Sequence, residues 1–131
     1  MPTTLTPMLT VNDSAKAIEF YTRAFGAIEQ QRTVTPAGQV VAQLSVEGNV
    51  FWVVDENPAA FNMSPTALGG TSVRLSLVVD DPDAVFERAI ASGGRAVFPL
   101  ADQPYGMRQG RIADPSGHHW LIGRPLQGTG R

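Results

Sequence analysis

Leu9 and Val11 alternate with Met8 and Thr10, the two-residue period of a strand with one buried face. Asp13 and Ser14 follow, with side chains suited to capping a helix. Over residues 15–25 the period changes. Ala17, Ile18, Tyr21 and Phe25 fall on one helical face, and Gly26 supplies the stop. Residues 27–32 and 39–46 read as two strands joined through Thr35-Pro36-Ala37-Gly38, and Gly48-Asn49 turns the chain into an apolar run at 50–54. Residues 55–70 hold three turn-favouring clusters, Glu56-Asn57-Pro58, Met63-Ser64-Pro65 and Gly69-Gly70, which predict an irregular linker.

The pattern then begins again. Residues 73–79 predict a strand with Leu75, Leu77 and Val79 on one face and Arg74, Ser76 and Val78 on the other. Asp80, Asp81 and Asp83 predict capping of a helix at 84–92, with Pro82 near its first turn and Gly93-Gly94 after its end. A short strand at 96–98, a loop at 100–107, a strand at 109–113, a β-turn at Asp114-Pro115-Ser116-Gly117 and a last strand at 119–122 complete the series. Val11 and Val79, Asp13 and Asp81, Ala17 and Val85, Gly26 and Gly94, and Leu44 and Ile112 all stand 68 positions apart. The Gly48 and Gly117 turns differ by 69, one insertion. A constant offset predicts duplication of one supersecondary unit. The boundaries are about 4–55 for module one, 56–71 for the linker and 72–125 for module two, within a single domain over 1–131.

Composition narrows the function classes. The 131 residues suit one core, and a net charge of -2 with no basic run argues against a nucleic-acid or anionic-membrane surface. No apolar run approaches the roughly 20 residues that span a bilayer. The count of cysteines is zero, which rules out disulfides, thiolate metal sites and a cysteine nucleophile. With no signal-peptide pattern over residues 1–9, a cytoplasmic location is expected.

Two stretches carry a resemblance. Residues 10–27, Thr10-Val-Asn-Asp-Ser-Ala-Lys-Ala-Ile-Glu-Phe-Tyr-Thr-Arg-Ala-Phe-Gly-Ala27, look like the first strand and helix of the vicinal-oxygen-chelate superfamily. That superfamily includes glyoxalase I, extradiol dioxygenases, fosfomycin-modifying enzymes and bleomycin-binding proteins. The segment Tyr105-Gly106-Met107-Arg108 leading into Asp114-Pro115-Ser116-Gly117-His118-His119-Trp120 resembles the PhnB-like branch. The resemblance implies an α+β fold of two βαβββ modules whose curved mixed sheets surround a cavity. It also implies a homodimer, commonly with modules paired across subunits.

In metal-using members each module gives ligands from its first and last strands. Carried onto this chain, those positions are Thr6, Trp52, Arg74 and Leu121. None is His, Glu or Gln, and Arg74 would place a fixed positive charge there, so a divalent metal is disfavoured and no cofactor is expected. His118 and His119 are adjacent on a strand and point to opposite faces. His118 is expected to serve the turn. His119 is either a cavity acid, base or donor, or a partly exposed histidine beside a turn.

By alternation Thr6, Met8, Trp52, Arg74, Ser76, His119 and Leu121 face the cavity. Trp52 would either stack on a planar ligand or pack in the core. Arg74 would hold a carboxylate or phosphate, pair with an acid of the other module, or stand solvated at a strand end. Tyr105 and Arg108, in a loop, would grip a ligand, unless Arg108 pairs with Asp102 or Asp114. The expected function is binding of a small, partly apolar or aromatic molecule by a metal-independent homodimer. The alternative is a lyase, isomerase or dioxygenase with a displaced metal or with His119, Tyr105 or Arg108 as catalytic groups.

Overall fold

The capping residues do what their chemistry suggests. In the computed structural model, which describes residues 1–127, the Asp13 carboxylate accepts from the Lys16 amide at 3.1 Å and opens helix α1 (Ser14–Phe25). Gly26, at φ +71°, closes it in the left-handed region that side chains avoid. Residues 128–131 of the expected domain lie outside the described residues. Strand β1 (Met8–Val11) precedes the helix, and β2 (Ile28–Val34), β3 (Val40–Val46) and β4 (Asn49–Asp55) follow it. They form one sheet in the order β1-β4-β3-β2, with β1 parallel to β4 and the other pairs antiparallel.

The second unit repeats this order. Between the two lies not a wholly irregular linker but a 3-10 turn (Pro58–Ala60) and one short helix, α2 (Pro65–Leu68), which Ser64 caps through the Ala67 amide. Then β5 (Arg74–Val78), α3 (Pro82–Ala91), β6 (Arg95–Asp102), β7 (Met107–Ala113) and β8 (His119–Pro125) build a sheet ordered β5-β8-β7-β6, again with the first strand parallel to the last. Asp81 caps α3 as Asp13 caps α1. The duplicated α+β architecture is thus the observed one.

Two expectations need correcting. Residues 100–102 are strand, not loop: β6 runs through Pro99, because it is an edge strand whose register shifts on both sides of Phe98, and proline is tolerated where no ladder donor is needed. Asp83 is not spent on capping. Its carboxylate receives two bonds from Arg108, at 2.9 and 2.7 Å.

The helix-side faces of both sheets share one core. Phe20, Tyr21, Leu44, Val53, Ile112 and Ile122 are fully buried in it, and α1 packs on α3. Each such side chain contributes about 1.5–3 kcal/mol when fully buried. Trp120 of module two enters an aromatic group from module one, with ring centroids 4.8 Å from Phe25 and 5.4 Å from Tyr21. Gly110 lets α3 approach: a Cβ there would stand 2.7 Å from the Phe86 ring.

A buried carboxylate fixes this join. Asp114 accepts from the Tyr21 hydroxyl, from Trp120 Nε1 at 2.9 Å, and from the Ser116 and His118 amides, each at 3.0 Å. Burial, and then the Asp114 charge, push the Tyr21 phenol well above its ordinary range, so it stays a donor. Tyr21→Phe is expected to lower unfolding free energy by about 1.5–3 kcal/mol, the contribution of a hydrogen bond to a charged group. Denaturant unfolding checks this, and an unchanged midpoint would contradict it.

Candidate functional site

Because the helix-side faces meet in the core, the opposite faces point away from it. Alternation decides which residues those are. In module one Phe51 and Val53 are buried, so Val50, Trp52 and Val54 lie on the open face; register places Met8 and Gln43 beside Trp52. In module two Trp120 and Ile122 are buried, so His119 and Leu121 lie on the open face, with Arg74 beside His119 and Ser76 beside Leu121. Apolar side chains there remain exposed: Met8 62%, Val78 58% and Phe98 57%.

A cleft of about 1290 Å³ runs between the edge strands β1 and β5. Thr6, Met8, Arg74 and Ser76 line it, together with Val50 and Val78. Trp52, Leu121 and His119 are half-buried on the sheet faces beyond its lining. Tyr105 is exposed, and its hydroxyl donates to Gln109 Oε1 at 2.7 Å. Arg108 is on the helix side. Its parity is that of Ile112, and its guanidinium is held by Asp83 and, at 3.0 Å, by Asp102. Hydrogen bonds to these two carboxylates push its pKa still higher, so it remains charged and occupied. A smaller hollow of about 430 Å³ lies against the linker, lined by Met8, Thr10, Met63, Leu68 and His118. The His118 ring is 2.7 Å from the Thr10 carbonyl, so it ties the last turn of module two to β1.

The four positions that the resemblance implies for metal ligands hold a hydroxyl, an indole, a guanidinium and an isobutyl group: Thr6, Trp52, Arg74 and Leu121. This donor set does not fit a divalent ion, which needs several carboxylate or imidazole ligands converging on one point. Among the described residues no three His, Asp or Glu side chains are grouped closely enough to hold one elsewhere.

Two arginines on the open face of module two escaped the sequence reading. Arg111 pairs in register with Leu121, and Arg95 with Ala113, which itself pairs with His119. The alternation of β7 about the buried Ile112 would have placed Arg111 there. Its guanidinium carbon stands 5.4 Å from the centre of the Phe98 ring, and its Nε is buried with no hydrogen-bond partner among the described residues. Desolvation, then the charges of Arg111 and Arg95, hold the His119 ring below the ordinary histidine range.

That shift has a signed consequence. The unfolded chain binds the His119 proton more tightly than the fold does, so stability is lost as pH falls through about 6.5 and is regained above it. Denaturant unfolding on either side of that pH should show the loss in the native chain and a smaller one in His119→Gln. Equal losses in both would contradict this.

Comparison with known proteins agrees with this architecture. The chain is 43% identical over 127 residues to an uncharacterized protein of Mycobacterium bovis, covering 94% of this chain and 84% of that one. The structure of TioX from Micromonospora sp. ML1 is similar at 29% identity and a TM-score of 0.72, over 95% of this chain and all of that one. The fosfomycin resistance protein FosX from Mesorhizobium loti, at 12% identity and a TM-score of 0.74 over 97% of this chain and 94% of its own, shares the fold. The description glyoxalase/bleomycin resistance protein/dioxygenase superfamily is matched over residues 4–122, and with two βαβββ units in place the chain belongs to that superfamily.

Proposed function

We propose that the protein is a metal-independent small-molecule binder of the bleomycin-resistance type, acting as a homodimer in which a second copy covers the open sheet faces. The carrying observation is the direction of those faces. Both point away from the shared core, and they leave Met8, Val78 and Phe98 more than half exposed. Exposed apolar side chains that share a sheet face suit an interaction or ligand surface. Face-to-face contact with a second copy would turn two shallow sheets into enclosed cavities. The half-buried Trp52 offers such a cavity a planar wall, which suits a partly apolar or aromatic ligand. The PhnB-like segment at 105–120 belongs to this reading as a resemblance, and so does a cytoplasmic location, which the absence of cysteine fits.

A metal-free enzyme is the second reading, and one observation favours it. Among the described residues the His119 ring has no hydrogen-bond partner, and desolvation and the nearby arginine charges lower its pKa, the direction that favours a general base. Loss of turnover in His119→Gln on a substrate that still binds would select this reading over the first.

Two measurements test the proposal. Light scattering on the purified chain should give twice 14.0 kDa, about 28 kDa. Elemental analysis after incubation with manganese, nickel, iron and zinc, then desalting, should find far less than one ion per chain. A monomer, or one tightly held ion per chain, would contradict it.

A further inference from the structure

The two open faces differ in charge. On module one the register sets Trp52, Gln43 and Gln31 in one row and Val54, Val41 and Thr33 in the next, none of them ionisable. On module two it sets Arg74, His119 and Arg95 in one row, with Arg111 between Leu121 and Phe98 in the next. The nearby acids are spent on the other side: Asp83 and Asp102 hold Arg108, and Asp114 is buried against Tyr21 and Trp120. Among the described residues, Arg74, Arg95 and Arg111 form no ion pair.

Unpaired guanidinium groups sharing one sheet face repel each other, and the buried Nε of Arg111 has given up water without a replacement acceptor. The Phe98 ring beside it limits the orientations of that guanidinium. A second copy laying its module-one face here would bring amides, threonines and Trp52, but no carboxylate to neutralise the cluster. We infer that the ligand itself supplies the missing charge: a small organic anion whose carboxylate, phosphate or phosphonate group is held by Arg111 and Arg95 beside His119, with its apolar part towards Leu121 and Phe98. The inference rests on the cavity reading above and adds the chemical class of the occupant. An acceptor there would occupy the Arg111 Nε and lift the His119 pKa back up, since an opposite charge favours the protonated ring.

Phenylphosphonate, inorganic phosphate and the neutral benzamide serve as probes, titrated into the isotope-labelled full chain at constant ionic strength and followed by amide shifts. Phenylphosphonate is expected to bind saturably, shifting the amides around Arg111 and His119 and raising the His119 titration. Arg111→Gln should weaken it by about tenfold or more, and Arg95→Gln by a smaller factor, as loss of a charge-assisted bond predicts. Arg23→Gln, on the far exposed face of α1, should leave it unchanged. Inorganic phosphate binding as tightly as phenylphosphonate would keep the anion site and remove the apolar subsite. Benzamide binding as tightly as phenylphosphonate would overturn the inference while leaving the cavity reading intact. Unchanged affinity in both Arg111→Gln and Arg95→Gln, or no saturable binding of either anion, would also overturn it.

Discussion

The Asp114 carboxylate is the point on which the rest of the structure depends. It lies in the turn before the last strand of module two, yet one of its acceptor bonds goes to Tyr21 on the helix of module one. A buried carboxylate without donors would cost several kcal/mol, so its four partners must be delivered together. Delivering them sets Trp120 against Tyr21, Phe25 and Phe51 and fixes how the two modules meet. The helix sides face inward as a consequence, and both sheets present their other faces outward.

That outward presentation connects packing to function. A sheet whose helix side is already covered has one free face, and here both free faces belong to the same molecule. They are not equivalent. Module one offers amide, hydroxyl and aromatic groups, and module two offers cationic ones around the His119 imidazole. Thr6, Trp52, Arg74 and Leu121 bring no carboxylate or imidazole, so in the proposed binder recognition falls to charge, shape and stacking. In this account Arg108, the most conspicuous arginine of the C-terminal motif, is a brace between α3 and the β6–β7 pair rather than a ligand group.

Much of this was legible from local rules. The 68-residue offset reappears as structure: Asp13 and Asp81 both cap helices, and Leu44 and Ile112 are both fully buried. Strand alternation separated Trp52, His119 and Leu121 from the buried Phe51, Val53, Trp120 and Ile122 because period two is enforced by the backbone. What escaped was non-local. The turn at 114–117 could be read from composition, but that its carboxylate reaches Tyr21, 93 residues earlier, depends on how the modules dock. The strand expected at 96–98 continues through Pro99 to Asp102, which the edge position of β6 allows. Arg95 and Arg111 stand near turns and look like ordinary solvated charges until the register aligns them with His119.

The proposed dimer, taken with the module-one face of one copy against the module-two face of the other, is open to a direct test. The described residues include no cysteine, and the chain has none, so a nitroxide attached at Thr33→Cys on the open face of module one is a unique label. Mixed with isotope-labelled native chains, it reports contacts between copies alone. The account predicts paramagnetic broadening of native amides on β7 and β8 around Arg111 and Leu121. Broadening confined to α1 and α3, or none at all, would contradict it.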